Sequence, residues 1–188
     1  MPIAEIVHVA EAVHGYMDPL ELQWLAETAR ALPPGSAWCE VGSWQGRSAT
    51  AVAGGLAPGS RLVLVDNFSG PTTRERPNVD ACTVRLEAAI AKILHWHPGI
   101  TIDLHVGESA TIARTMPPAT FDVIFLDGDH AYAAVAGDLM AWGPALKPKG
   151  LFCGHDYTRQ CGVSKAVRDA FGQVDRVPKT SIWYARPC

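Results

Sequence analysis

The 188-residue sequence lacks a long hydrophobic run, an excess of basic residues and any CxxC spacing among its five cysteines. No apolar run approaches the roughly 20 residues that span a bilayer, so we expect no membrane segment. The net charge of −3 disfavours a general nucleic-acid binder, because that role usually needs a basic face. The cysteines fit reduced thiols better than a disulfide framework or a zinc site.

The first residues, MPIAEIVHVAEAVHGYMD, carry acids and histidines where a secretory signal has a basic region and an apolar core. We therefore expect a cytoplasmic location. Hydrophobic residues make up 48% of the chain and charged residues 19%, which is typical of a globular protein. No repeat or linker divides the sequence, so residues 1–188 are predicted to form one domain with a helical segment at 1–35.

Short apolar runs alternate with helical patterns along the chain, which predicts an α/β protein with a Rossmann-like, doubly wound and mostly parallel sheet. Helices are expected on both faces, and "QVDRV" and "SIWYARP", separated by "PKT", predict a closing antiparallel hairpin and seven strands in total. The predicted parallel strands are 37–42, 61–66, 100–106, 121–127 and 150–156. The predicted helices are a helix capped by Asp18, then 47–56, 79–96, 109–115, 131–146 and 163–171.

A polar cluster follows each of the five parallel strands. In open α/β sheets, ligands bind beyond the carboxyl ends of the strands, where the strand order reverses. Isolated polar residues at strand ends are common, but five clusters along one edge predict a binding site. The densest cluster is "LDGDHAY", which places Asp127, Asp129 and His130 directly after a buried strand.

The turn "EVGSWQGRS" joins the first strand to its helix with the spacing Gly42-x-x-x-Gly46. This is not the GxGxxG of dinucleotide enzymes, whose middle glycine lets the backbone approach a pyrophosphate. Trp44 occupies that middle position, which disfavours NAD(P). Asp66 ends the second strand, where a carboxylate either binds a ribose diol or makes a turn; together with the glycine turn it favours ribose binding.

The ordered set "EVGSWQGRS", "VDNF", "GES" and "FDVIFLDGDH" resembles the class I S-adenosylmethionine-dependent methyltransferases. The resemblance covers nearly the whole chain from about residue 17. It implies that S-adenosylmethionine is the cofactor, that Asp66 binds its ribose and that Ser109 contacts its adenine, although "GESA" is also an ordinary N-cap turn. The implied cofactor-binding residues are Glu40, Gly42, Ser43, Gly46, Asp66, Asn67, Glu108, Ser109 and Asp127.

The segment "LDGDHAY … LKPKGLFCGHDY" resembles the metal-dependent O-methyltransferases that act on macrolide and aminocoumarin sugars, together with the cephalosporin-hydroxylase-like group. The resemblance implies a divalent metal held by Asp127, His155 and Asp156. It also implies that catalysis involves Asp127 and His130, with His130 as the general base. A divalent cation activates a hydroxyl as a Lewis acid, and a histidine accepts its proton near neutral pH.

Related sequences often carry two acids where this chain has His155 and Asp156. Magnesium prefers oxygen ligands, whereas an imidazole suits manganese and other transition metals. Three alternatives stay open: magnesium with His155 turned away, a transition metal with His155 as a ligand, or no metal. His130 could also have only a structural role in its loop.

The loop 67–81, a possible lid, and the N-terminal segment to about Tyr16 are long enough to cover an acceptor. The expected partner is a small-molecule acceptor, and exposed apolar positions near the N-terminus make a homodimer plausible. Competing hypotheses are an NAD(P)-dependent oxidoreductase, a non-catalytic protein that binds S-adenosylmethionine, and a metal-dependent hydrolase. The last would leave the glycine turn without a purpose.

Overall fold

A seven-stranded sheet forms the centre of the computed structural model, which describes residues 1–69, 79–158 and 161–186. The strands are β1 (Ala37–Val41), β2 (Arg61–Asp66), β3 (Thr101–Val106), β4 (Phe121–Leu126), β5 (Leu146–Gly154), β6 (Asp175–Arg176) and β7 (Trp183–Ala185). Their order is β3-β2-β1-β4-β5-β7-β6, with β1 to β5 parallel and β7 antiparallel to both neighbours. The predicted fold class is confirmed.

Helices cover both faces of this sheet, as predicted. They are α1 (Ile3–Glu11), α2 (Pro19–Arg30), α3 (Arg47–Gly55), α4 (Val79–Trp96), α5 (Ser109–Ala113), α6 (Tyr132–Trp142) and α7 (Gly162–Phe171). One core lies between the sheet and α1 to α4, and the other lies between the sheet and α5 to α7. Because successive side chains of a strand point to opposite faces, Trp38 enters the first core and its neighbour Cys39 the second.

The start of α2 is fixed by a reciprocal capping box. The Asp18 carboxylate accepts hydrogen bonds from the Leu20 and Glu21 amides, at 2.8 and 3.0 Å. The Glu21 side chain in turn accepts from the Asp18 amide at 3.1 Å. Such a cap stabilises a helix by about 0.5 to 2 kcal/mol. The predicted N-cap at Asp18 is confirmed.

Two predicted boundaries are wrong. The helix predicted over 131–146 ends at Trp142 and gives way to a 3₁₀ turn at Gly143–Ala145. The strand predicted from residue 150 starts at Leu146, because Leu146 pairs with Phe121 before an irregularity shifts the register. The closing hairpin is also less tight than predicted, since residues 177–182 separate its two strands.

The sheet order places the site. The chain passes from β1 to β2 and β3 on one side, then crosses to β4 on the other side of β1. The crevice of a doubly wound sheet lies at this reversal, beyond the carboxyl ends of β1 and β4. Val41 pairs with Leu126 there, so that Gly42 and Asp127 leave the sheet side by side. In the portion that the structure describes, no helix is long and apolar enough to cross a membrane.

Candidate active site

The glycine turn after β1 is in contact with the loop after β4. Gly42 has φ +91°, and a Cβ at this position would lie 2.2 Å from the Asp127 carbonyl oxygen. The Asp127 amide donates to the Val41 carbonyl at 2.8 Å, which holds the two loops together. Only glycine fits this backbone conformation and this close approach. The contact joins the predicted cofactor residues to the predicted acidic cluster.

Glu40, at the end of β1, is a carboxyl group with no exposed surface. Its Oε1 accepts a hydrogen bond from Ser48 at 2.9 Å, whereas its Oε2 has no hydrogen-bond partner among the described residues. Burial raises the pKa of Glu40 to about 8, and the nearby Asp127 adds to this effect. A buried polar atom without a partner is costly unless a ligand or water satisfies it. Glu40 therefore fits a site that takes a polar or cationic group.

Asp66 ends β2 and faces the same turn. Its two oxygens accept from the amides of Trp44 and Phe68, at 2.7 and 2.6 Å. Burial raises the pKa of Asp66, and these amide hydrogen bonds only partly offset the shift. Each carboxylate oxygen has a second lone pair, so Asp66 keeps the capacity to accept from ribose hydroxyls.

Three of the six non-glycine residues with positive φ in the described chain lie along this edge of the sheet. Trp44, Phe68 and Asp156 have φ angles of +42°, +54° and +56°, in the left-handed region that non-glycine residues rarely adopt. Each follows the carboxyl end of a different strand. Strained conformations of this kind persist where the surroundings hold them, and they cluster at functional sites.

The remaining predicted cofactor residues lie along the same edge but have protein partners. Asn67 Nδ2 donates to Glu108 at 3.0 Å, which links the ends of β2 and β3. The Ser109 hydroxyl accepts from the Trp142 indole at 2.8 Å. Ser109 thus has a structural partner, and its contact with adenine stays a prediction. Ser43 is buried in the glycine turn, and Gly46, at φ +87°, precedes α3 as its N-cap.

The N-terminal segment reaches over the glycine turn. The Tyr16 ring stacks on Trp44 with centroids 5.2 Å apart and planes 10° apart, and His14 packs edge-on against Trp44 at 5.2 Å. This is the segment that the sequence predicted as a cover for the acceptor. Most of the predicted lid, residues 70–78, lies outside the described residues.

The acidic cluster is gathered where β4 and β5 end. His130 Nε2 lies 3.0 Å from Asp156 Oδ2, and the His130 side chain is 46% exposed. Asp127 is largely buried beside them, and burial raises its pKa although His155 partly counteracts this. An exposed imidazole next to a carboxylate, at the edge where ligands bind, is suited to accept a proton.

His155 makes a contact that the sequence did not predict. Its Nε2 lies 2.9 Å from Glu21 Oε2, and its Nδ1 lies 3.5 Å from Asp127 Oδ1 and 3.3 Å from Asp156 Oδ2. Burial opposes a charge on the ring, but Asp127, Asp156 and Glu21 together raise the pKa of His155 to about 12. Burial raises the pKa of Glu21, but His155 and the amides of Ser181 and Asp18 together lower it to about 2. His155 therefore lies among three carboxylates, which favour its charged form.

This geometry changes the predicted metal site. Asp127, His130 and Asp156 each offer a ligand atom, and these atoms lie within 4.8 Å of one another. His155 is outside this group, since its Nε2 lies 2.9 Å from Glu21 Oε2, and its role as a metal ligand stays a prediction. Two carboxylates with one imidazole fit a divalent cation, and the nitrogen donor favours manganese or another transition metal over magnesium.

Comparisons with known proteins agree with this architecture. A family model described as "Methyltransferase domain" matches residues 39–157. The solved structure of the O-methyltransferase NovP is similar, with 17% identity, a TM-score of 0.68 and coverage of 92% of this chain and 81% of that one. An S-adenosylhomocysteine-bound methyltransferase of Podospora anserina, PaMTH1, shares 17% identity, with a TM-score of 0.69 and coverage of 99% and 88%.

A third similar structure is the O-methyltransferase of Bacillus cereus in complex with S-adenosylhomocysteine. It shares 14% identity with this chain, with a TM-score of 0.63 and coverage of 98% of this chain and 90% of that one. No curated protein matches the chain. At these identities the solved structures show the fold, whereas the family match covers more than half of the chain and both edges of the crevice.

Proposed function

The chain belongs to the methyltransferase domain family, and we propose that it transfers a methyl group from S-adenosylmethionine to a hydroxyl group of a small molecule. The observation that carries this proposal is the His130–Asp156 pair, which lies at the same edge of the sheet as the glycine turn. Two of the structurally similar proteins are O-methyltransferases, which supports oxygen as the acceptor atom.

The residues after β1 and β2 fit the donor. Glu40 offers a buried oxygen without a protein partner, which suits the ammonium group of a methionine moiety. Asp66 offers carboxylate oxygens to ribose hydroxyls, and the backbone turn from Gly42 to Gly46 carries no Cβ at either end. When bound, the donor supplies an electrophilic methyl carbon on a sulfonium.

His130 is proposed to take the proton of the acceptor hydroxyl. A neutral imidazole accepts that proton as the new carbon–oxygen bond forms and the carbon–sulfur bond breaks. The positive charge leaves the sulfur and, together with the proton, ends on the imidazole. Asp156, 3.0 Å away, orients the ring. Positioning of both reactants supplies much of the remaining rate acceleration.

A divalent metal fits the same edge. Asp127 and Asp156 are proposed to hold it, and its chemistry would be that of a Lewis acid that lowers the pKa of the acceptor hydroxyl. His130 lies within reach as a third ligand, but a ring nitrogen that binds a metal cannot take a proton at the same time. We therefore assign His130 to proton transfer and the two carboxylates to the metal.

Thermal denaturation with candidate ligands tests the proposal. S-adenosylmethionine and S-adenosylhomocysteine should each raise the melting temperature, because a ligand that binds only the native state stabilises it. NAD and NADP should have no effect. Transfer of labelled methyl groups to a panel of hydroxylated small molecules then tests the reaction. Stabilisation by NAD alone would refute the assignment of the donor, and methylation of amines but not hydroxyls would refute the assignment of the acceptor.

A further inference from the structure

Glu21 connects three separate parts of the chain beside the acidic cluster. Its Oε1 accepts from both the amide and the hydroxyl of Ser181, each at 3.1 Å, in the loop between β6 and β7. Its Oε2 accepts from the Asp18 amide at 3.1 Å and lies 2.9 Å from His155 Nε2, beyond the end of β5. The residue is only 5% exposed.

This environment exceeds what helix capping requires. A capping glutamate needs one partner, the N-cap amide, and usually remains in water. Burying a carboxylate is costly unless charges and hydrogen bonds compensate for the lost hydration. Glu21 has four such partners, and the shortest of the four contacts, at 2.9 Å, is with the His155 ring. The side chain is therefore arranged around the imidazole.

The contact determines which way the His155 ring faces. With Nε2 2.9 Å from Glu21 Oε2, Nδ1 lies 3.3 Å from Asp156 Oδ2 and 3.5 Å from Asp127 Oδ1. The imidazole thus lies between three carboxylates, one on α2 and two beyond the ends of β4 and β5. Second-shell partners of this kind fix the orientation of the groups that they contact.

We propose that Glu21 is a positioning residue: it holds His155 so that the imidazole keeps Asp127 and Asp156 in place for the acceptor. This inference rests on the proposed function, since it assigns a purpose to the two carboxylates. It makes α2, which lies outside the matched family segment, a component of the active site. Removing the Glu21 carboxylate frees the ring and leaves the two acids without their fixed neighbour.

The test uses the full chain with Glu21→Gln, and with Glu27→Gln as a matched control. Glu27 lies on the same helix but is exposed, and its side chain accepts a hydrogen bond from Gln23 Nε2 at 2.8 Å. Heteronuclear NMR of the imidazole nitrogens reports on His155, whose signals are assigned by their loss in His155→Gln. Glu21→Gln should shift the Nε2 signal, and Glu27→Gln should leave it unchanged.

Activity provides the second readout. Glu21→Gln should lower kcat by about 10- to 100-fold on an acceptor that the native protein methylates, because residues that orient the groups of a site typically contribute this much. The affinity for S-adenosylhomocysteine should stay near native. Glu27→Gln should change neither. A loss of donor affinity in parallel with kcat would point to general disruption and overturn the positioning role.

The two proposals fail separately. If no acceptor is methylated, the proposed function fails, while the NMR comparison still decides the role of Glu21. Superimposable His155 signals in the native protein and a folded Glu21→Gln variant would overturn the inference. If that variant does not fold, Glu21→Asp, whose shorter carboxylate withdraws from the ring, takes its place: shifted His155 signals uphold the contact, and unchanged signals overturn it.

Discussion

His130 Nε2 lies 3.0 Å from Asp156 Oδ2, which brings a side chain from the end of β4 against one from the end of β5. The two residues are 26 positions apart in the sequence, and α6 and the whole of β5 lie between them. Adjacent parallel strands place their carboxyl ends side by side, so the sheet itself creates the pair. The pair leads to direct tests of the proposed chemistry.

Replacement of His130 by alanine should abolish turnover but not donor binding. A positioned base contributes about 10²- to 10⁴-fold to the rate. Among the described residues, the ion-pair partner of the His130 ring is Asp156, which lies outside the glycine turn. We expect kcat to fall by this factor, measured by methyl transfer, with calorimetric affinity for S-adenosylhomocysteine near native. His95→Ala, at an exposed position of α4, is the control. Unchanged turnover would return His130 to a structural role.

Manganese should stabilise the native protein through Asp127 and Asp156. Binding to the native state alone at a hundredfold excess over Kd adds about 2.7 kcal/mol to the free energy of unfolding. Asp156→Asn should remove this effect in a thermal titration, and EDTA should reverse it. His130→Ala should retain it. If His130→Ala loses manganese binding as fully as Asp156→Asn, His130 is a ligand and its assignment as the base is wrong.

Glu40 should make stability depend on pH. Burial raises its pKa from 4.5 to about 8, so the folded protein keeps a proton between these values that the unfolded chain releases. The free energy of unfolding should therefore fall as pH rises from about 5 to about 8, by at most about 1.4 kcal/mol per pH unit from this group. Urea denaturation across this range measures the slope.

Glu40→Gln provides the comparison for this slope, since an amide cannot titrate. The difference in stability between the native protein and the variant should change with pH in the stated direction. A difference that stays constant would show that Glu40 has no raised pKa. Binding of S-adenosylhomocysteine should strengthen as Glu40 ionises, because the carboxylate pairs with the ammonium of the ligand.

Gly42→Ala should strongly destabilise the fold. The backbone is at φ +91°, and the added Cβ would lie 2.2 Å from the Asp127 carbonyl oxygen. Strain and overlap together should lower the free energy of unfolding by about 2 to 4 kcal/mol, measured by thermal or chemical denaturation. Gly137→Ala is the matched control, since a Cβ there meets nothing within 4 Å and the position is inside α6. It should stabilise by about 0.5 to 1 kcal/mol. Equal effects of the two substitutions would contradict the close approach at Gly42.

The parallel sheet could be predicted because its strands are covered on both faces. "RLVLVD" and "FDVIFL" are continuous apolar runs, and the structure gives β2 and β4 almost the predicted limits. The start of β5 could not be predicted, because Pro148 and Gly150 in "LKPKG" are equally typical of the end of a helix. The start of β5 is determined by the pairing of Leu146 with Phe121, which is a long-range contact.

The candidate site was predicted to the extent that strand ends define it. Asp127, His130 and Asp156 each follow a strand, so the topology alone brings them together. Glu21 was missed because its sequence signal is local: Asp18 and Glu21 have the spacing of a capping box. Its contact with His155 spans 134 positions, and no periodicity or motif reports a partner at that distance.

The stacking of Tyr16 on Trp44 has a practical consequence. The backbone amide of Trp44 donates to Asp66, and its indole ring packs against the Tyr16 ring at the mouth of the crevice, so Trp44 is an intrinsic fluorophore there. Its fluorescence emission changes when a ligand separates the two rings or excludes water from them. Because the sequence has six tryptophans, the difference in emission between the native chain and Trp44→Phe isolates this signal and follows occupation of the pocket before any acceptor has been identified.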